Sequence, residues 1–232
     1  MAMREFYDLD IVIPCYNEEG VIDKTIPSIV EYIQNTSQSG RTRLRHFTVI
    51  LVDDGSKDAT WHIIDHLATT YPGVEGIKLS KNCGHQLAML AGLSSTKADA
   101  VITMDADLQD DLNAIEEMLK AYENGADLAL GIRNDRTTDS FLKRFTAGSY
   151  YWLLDIMGTR VIKNHADFRL ISRKALDALL QHHEVNLFIR GLIPTIGFNV
   201  TLVPYKRQSR FAGETKYTIR KMLRLAIDGI TS

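Results

Sequence analysis

The chain has 232 residues, 45% hydrophobic and 24% charged, with a formal net charge of −2. That is enough for one sizeable globular core, and the acidic balance excludes a general nucleic-acid binder. Two cysteines, Cys15 and Cys83, make no disulfide framework; as small buried hydrophobes they suit a reducing cytosol. The N-terminus has no apolar stretch before a cleavage site, and no uninterrupted apolar run nears the ~18–20 residues of a spanning helix. The sequence as it stands is therefore expected neither to carry a signal peptide nor to cross a membrane.

The first half alternates strand and helix patterns. Residues 10–14 read as a short apolar strand stopped by Pro14, and 18–34 as a helix with a kink at Pro27. The β-branched run 47–52 reads as a strand covered on both faces. A helix follows over 57–70 with Ser56 as N-cap. Then come a strand at 74–79, a helix at 85–95, a strand at 100–104, a helix at 111–124 and a strand at 127–132. This alternation predicts βαβ units and a mostly parallel sheet with helices on both faces. Ligands of such sheets bind beyond the strand carboxyl ends, where the polar clusters fall: Asn17-Glu18, Asp53-Asp54-Gly55, Asn82-Cys83-Gly84 and Asp105-Ala106-Asp107.

The second half is less regular. Residues 140–157 read as an aromatic-rich helix, 167–171 as a strand and 172–181 as a helix begun by Ser172. A strand follows at 199–205, then a polar loop at 209–216 and a helix at 216–230. There are no repeats and no low-complexity linker, so one domain over 1–205 with an appendage over 206–232 is expected. The appendage holds seven basic residues against two acidic ones, a net +5, which leaves −7 on residues 1–205. A basic end on an acidic body points to an anionic surface as partner. The 216–230 helix sets Ile219, Met222, Leu223, Ala226 and Ile230 against Lys216, Arg220, Lys221 and Arg224. This pattern fits a helix lying in a membrane interface or, equally, one packed on a core with a solvated polar face.

The most informative stretch is Asp105-Ala106-Asp107-Leu108-Gln109-Asp110-Asp111. Residues i and i+2 of an extended segment share a face, so Asp105 and Asp107 can address one ion. Mg²⁺ and Mn²⁺ take such oxygen ligands, with water and substrate phosphates completing the shell. The Gln109 amide adds a further oxygen or holds a metal-bound water. The competing reading is a solvated acidic turn before a helix, and Asp110 and Asp111 are expected to be that helix's N-terminal residues. EF-hand spacing, the P-loop pattern and G-x-G-x-x-G are all absent. No Ser/His/Asp set stands out, and His46, His62, His66, His182 and His183 read as surface or core residues.

Seven pieces in order give a resemblance. They are 13–19 (IPCYNEE), 52–58 (VDDGSKD), 82–86 (NCGHQ), 104–110 (MDADLQD), 167–170 (DFRL), 186–191 (NLFIRG) and 210–216 (RFAGETK). Over residues 9–232 the chain resembles glycosyltransferase family 2 and, within it, the polyprenyl-phosphate sugar transferases, which include bactoprenol glucosyltransferases and dolichol-phosphate mannose synthase. The resemblance implies a nucleotide-binding α/β fold of GT-A type with a mostly parallel central sheet and a C-terminal amphipathic helix.

It also implies roles. Pro14, Tyr16 and Glu18 would line the nucleotide site, with Asp54, and Asp53 beside it, on the base or ribose. Asp105, Ala106, Asp107 and Gln109 would organise the donor and a divalent metal, Mg²⁺ or Mn²⁺. Arg133 and Arg144 would bind phosphate, and Asp167 and Arg169 would serve the acceptor. Arg207, Arg210 and Lys216 lie in a loop that in relatives folds over the pyrophosphate and lipid phosphate. Asp167 either positions the acceptor phosphate or forms a structural pair with Arg169.

The expected activity is inverting transfer of a hexose, glucose from UDP-glucose by preference and a GDP-sugar as the other option, onto a polyprenyl phosphate. It would take place at the cytoplasmic membrane face. Members of this branch continue beyond the equivalent of 228–232 into two spanning helices, so a full-length protein is expected to be integral, with this chain soluble or peripheral; a homo-oligomer is compatible with the resemblance. The alternatives are transfer to a saccharide hydroxyl, against which stands the lack of a Q-x-x-R-W motif, and an inactive nucleotide-sugar binding module.

Overall fold

The computed structural model describes residues 6–133, 165–181 and 197–206. The elements in chain order are β1 (Tyr7–Cys15), α1 (Ile22–Gln38), β2 (Leu44–Asp53), α2 (Thr60–Thr70), β3 (Val74–Lys78) and α3 (His85–Ser95). They continue with β4 (Ala100–Thr103), α4 (Asn113–Glu123), β5 (Leu128–Arg133), β6 (His165–Ser172), α5 (Arg173–Leu180) and β7 (Val200–Tyr205). These seven strands form one sheet in the order β3-β2-β1-β4-β6-β5-β7. Among the described strands only β6 runs antiparallel to its neighbours; the other pairings are parallel. The expected mostly parallel α/β architecture is the one observed.

Strand alternation divides the core between the two faces of the sheet. Leu9, Ile11 and Ile13 of β1 pack with Ile26, Ile29 and Ile33 of α1, Ile64 of α2, and Ile115 and Leu119 of α4. On the opposite face Val12, Ile50, Val52 and Val101 pack with Met89 and Leu93 of α3 and Leu176 and Leu179 of α5. Both faces of β2 are thus covered, as its continuous apolar run predicts.

Three local readings need correction. Pro14 does not stop β1; it lies inside the strand, paired in register with Val52. Val12 O accepts from Met104 on the β4 side and Cys15 O from Asp54 on the β2 side, so residue 14 faces β4. The β1–β4 pairing ends at Val12–Thr103, and no ladder donor is needed there. Ser56 is not a helix cap. Helix α2 starts only at Thr60, and the Ser56 hydroxyl accepts from the Asn17 amide at 3.0 Å. Asp110 is not a solvated helix-terminal residue, since it is buried. Ser172, by contrast, does cap α5, accepting from the Ala175 amide at 3.3 Å. The helices read at 140–157 and 216–230 lie outside the described residues.

Candidate active site

The parallel register aligns the carboxyl ends of β1 and β2, with Cys15 opposite Asp53, and the loops beyond them are joined by hydrogen bonds. Asn17, with φ of 51°, accepts from the Lys57 amide at 2.9 Å. The Glu18 amide donates to Thr60 Oγ1 at 2.8 Å. Pro14, Tyr16 and Glu18 thus sit at and just beyond the carboxyl end of β1, next to the β2 end that carries Asp53 and Asp54, both buried. The two aspartates do different work. Asp54 accepts from the amides of Cys83 at 2.6 Å and Gly84 at 2.9 Å, fixing the loop before α3. Asp53 Oδ1 accepts from the Ser56 amide at 3.1 Å, while its buried Oδ2 has no hydrogen-bond partner among the described residues. Gly55, between Asp54 and Ser56, sits at φ +65°, and a Cβ there would lie 2.5 Å from Lys81 C. Only glycine allows these two loops to meet.

The second centre forms where β4 ends. Asp105 and Asp107 follow the strand, and Leu108 adopts φ of 50°, which turns the chain so that the Gln109 amide donates to Asp107 Oδ1 at 3.2 Å. Ala106 and Gln109 are buried beneath the carboxylates. Asp105 is held above the ordinary carboxylate range by desolvation first. The negative charges of Asp167 and Asp107 add to this, while His85 and Arg133 oppose it. A carboxylate crowded by like charges favours a nearby cation. The donors are hard oxygens on an open strand end, which fits Mg²⁺ or Mn²⁺. Among the described residues no group of three or more His, Cys, Asp or Glu side chains gathers into a cage. The protein would supply part of a coordination shell and leave the rest to water and phosphate.

Antiparallel pairing of β4 with β6 sets Thr103 opposite Arg169 and brings Asp167 beside the Asp105 loop. Arg169 is buried and donates from Nη2 to Asp167 Oδ1 at 2.6 Å and from Nε to Thr103 Oγ1 at 3.3 Å. His85, the first residue of α3, places Nε2 3.7 Å from Asp167 Oδ2 and 4.0 Å from Asp105 Oδ1. Burial disfavours its charged form, but the neighbouring Asp167 and Asp105 carboxylates outweigh this and raise its pKa. His85 therefore lies between the Asp105 and Asp167 carboxylates. Its role was not visible in the sequence, where it is one letter of the 82–86 piece.

On the far side, Arg133 ends β5 opposite Tyr205 at the end of β7. Arg133 Nε donates to the Tyr205 hydroxyl at 3.2 Å, and that hydroxyl donates to Asp110 Oδ1 at 2.6 Å. Desolvation raises the Asp110 carboxyl to about 6, with the Tyr205 hydrogen bond opposing. Pro14, Tyr16, Glu18, Asp53, Asp54, Asp105, Ala106, Asp107, Gln109, Arg133, Asp167 and Arg169 thus line one end of the sheet. Arg144, Arg207, Arg210 and Lys216 lie outside the described residues.

A seven-stranded, mostly parallel α/β sheet with acidic residues gathered beyond the strand carboxyl ends is the architecture of the GT-A type fold. Glucosyl-3-phosphoglycerate synthase from Mycobacterium tuberculosis, solved with Mn²⁺, UDP-glucose and phosphoglyceric acid, has this fold. It matches with a TM-score of 0.61 and 17% identity over 95% of this chain and 76% of that one. The family model for Glycosyl transferase family 2 matches residues 10–180. An uncharacterized glycosyltransferase of Bacillus subtilis, YkoT, is 44% identical across 97% of this chain and 67% of its own length. A prophage bactoprenol glucosyl transferase homolog of Escherichia coli is 36% identical across 97% of this chain and 71% of its own. The chain belongs to glycosyltransferase family 2 and is a glycosyltransferase.

Proposed function

We propose that the chain moves a hexose, glucose from UDP-glucose by preference, onto a polyprenyl phosphate with inversion at the anomeric carbon. The observation that carries this is the grouping of His85 with two carboxylates, its Nε2 3.7 Å from Asp167 Oδ2 and 4.0 Å from Asp105 Oδ1, together with the buried Asp53 Oδ2, which has no hydrogen-bond partner among the described residues. The similarity to bactoprenol glucosyl transferases over 97% of the chain supports the lipid-phosphate acceptor.

The donor's base or ribose would donate a hydrogen bond to Asp53 Oδ2, a buried acceptor otherwise left unsatisfied. Asp54 would shape the donor site by holding Cys83 and Gly84 in place. Asp105, Asp107 and Gln109 would hold a divalent cation, which supplies charge neutralisation for the pyrophosphate and the departing nucleotide. Arg133 would meet the pyrophosphate from the opposite side with a guanidinium fork. An oxygen of the lipid phosphate attacks the anomeric carbon, the new C–O bond forms as the bond to the nucleotide oxygen breaks, and the electron pair leaves on the nucleoside diphosphate. A phosphate with second pKa near ~6 is largely ionised at neutral pH and needs no strong general base. Asp167, aligned by Arg169 and His85, would position this acceptor or tune its protonation. Arg144, Arg207, Arg210 and Lys216 complete the reading as phosphate contacts, and the basic 206–232 segment would bring the site to a membrane surface.

The test offers UDP-glucose, UDP-galactose, UDP-N-acetylglucosamine and GDP-mannose with undecaprenyl phosphate, with Mg²⁺, Mn²⁺ or EDTA. The expected outcome is a glucosylated lipid that requires the metal. Sugar appearing only on saccharide hydroxyls, or nucleotide-sugar binding without turnover, would replace this reading.

A further inference from the structure

Beneath Arg133 lies a buried polar chain that the transfer reaction as described does not use. The guanidinium donates through Nε to the Tyr205 hydroxyl at 3.2 Å, and this hydroxyl donates to Asp110 Oδ1 at 2.6 Å. Tyr205 is 3% exposed and Asp110 4%, so neither bond is exchanged readily with water. The tyrosine ring has little freedom. Phe168 meets it edge-on with centroids 5.4 Å apart. A Cβ at Gly131 would come within 2.9 Å of the ring's Cε1 and 2.8 Å of Phe168 O, so the absent side chain at 131 is what admits the ring. The β5–β7 register, Arg133 opposite Tyr205, sets the first bond. The second crosses to the loop that carries Asp105, Asp107 and Gln109.

We infer that Tyr205 and Asp110 are positioning residues that lock the Arg133 fork to the Asp105–Gln109 loop, so that both engage one pyrophosphate at a fixed spacing. Committing Nε to Tyr205 leaves the terminal nitrogens of Arg133 for a bidentate anion contact. An arginine at a strand end samples many rotamers, and holding it beforehand lowers the entropic cost of binding. The inference rests on the reading of Arg133 as a pyrophosphate ligand.

The experiment titrates the full chain with UDP and with uridine in the presence of Mn²⁺, comparing wild type, Tyr205→Phe, Asp110→Ala, Asp110→Asn and Arg133→Gln. Tyr205→Phe is expected to weaken UDP about tenfold, the size of a lost hydrogen bond to a charged group, and to leave uridine unchanged. Asp110→Ala should behave likewise. Asp110→Asn, whose amide oxygen still accepts, should recover most of that loss. In the Arg133→Gln background Tyr205→Phe should cost nothing further, because the two act as a unit. The inference is overturned if Tyr205→Phe binds UDP as wild type does, if UDP and uridine weaken in equal proportion, or if the penalty persists without Arg133. Wild type that binds neither ligand would overturn the donor-site reading itself, and this inference with it.

Discussion

Arg169 carries a full charge at 1% exposure, and Asp167 accepts from it at 2.6 Å. Whether Asp167 serves structure or turnover can be separated because asparagine preserves one contribution and not the other. The asparagine amide oxygen would still accept from Arg169 Nη2, so Asp167→Asn should fold with a melting temperature close to wild type. It loses the negative charge beside His85, and under the proposed role turnover should fall on the order of a hundredfold. Asp167→Ala instead leaves a buried guanidinium short of its anion and should cost about 3 kcal/mol or more in denaturant unfolding. Near wild-type turnover in a folded Asp167→Asn would assign the pair to structure alone. Asp110 shows how far a carboxylate's surroundings can depart from its place in the sequence. Beside Asp111 it looks like a helix-terminal acid. Only the pairing of distant β5 and β7 puts a tyrosine hydroxyl over it.

Strand β1 is tied to the segment before β4 through a buried acid. Asp10 Oδ2 accepts from the amides of Lys97 at 3.3 Å and Ala98 at 3.4 Å. Desolvation raises its pKa above the ordinary carboxylate value, and the hydrogen bonds from Ala98, Lys97 and Thr48 and the charge of Arg173 only partly offset this. A folded-state pKa raised above the unfolded value means that the native state holds its proton longer. Stability contributed by the protonated group is therefore complete at low pH and lost as pH rises through the folded pKa. Asp10→Asn removes that ionisation and keeps an oxygen acceptor. Thermal melts should show the variant above wild type at pH 7, with the gap closing as pH falls through the raised folded pKa and gone below about 4; a gap independent of pH would refute this. The strands and helices that position the site were legible because their signals are local. The apolar run 47–52 marked β2, and Ser172 with its neighbours marked α5. The ends were not. Pro14 is tolerated in β1 because β4 is shorter on that side, and Ser56 is drawn away by Asn17 from the loop after β1. The same limit applies to the site. The i, i+2 argument for Asp105 and Asp107 assumed extended backbone, whereas β4 ends at Thr103 and the chain turns at Ala106 and Asp107; His85 gained meaning only when β6 brought Asp167 to it.

The distribution of charge over the molecule makes its own demand. Residues 1–205 carry −7, and an acidic body is repelled by an anionic bilayer, while residues 206–232 carry +5. Near a surface rich in anionic lipid, each basic residue contributes about 1 kcal/mol within a Debye length of ~8–10 Å. The basic segment follows directly from β7, whose last residue, Tyr205, stands beside Arg133. A membrane-bound 206–232 segment would therefore hold the Asp105 cluster close to the bilayer, where a lipid phosphate is presented. Among the described residues no helix is long and apolar enough to span a bilayer; the proposed attraction of the basic segment is electrostatic and interfacial. Flotation with vesicles containing about a third phosphatidylglycerol should recover the chain at low salt and lose it as ionic strength rises, because Debye screening shortens the reach of the basic residues. Neutral phosphatidylcholine vesicles should recover little at any salt. Replacing Lys216, Arg220, Lys221 and Arg224 with glutamine should abolish flotation while leaving UDP binding to the Asp53 and Asp105 side of the site measurable. Equal recovery on neutral and anionic vesicles, or none on anionic vesicles at low salt, would remove the membrane surface from the proposed function and leave the transferase site as a soluble one.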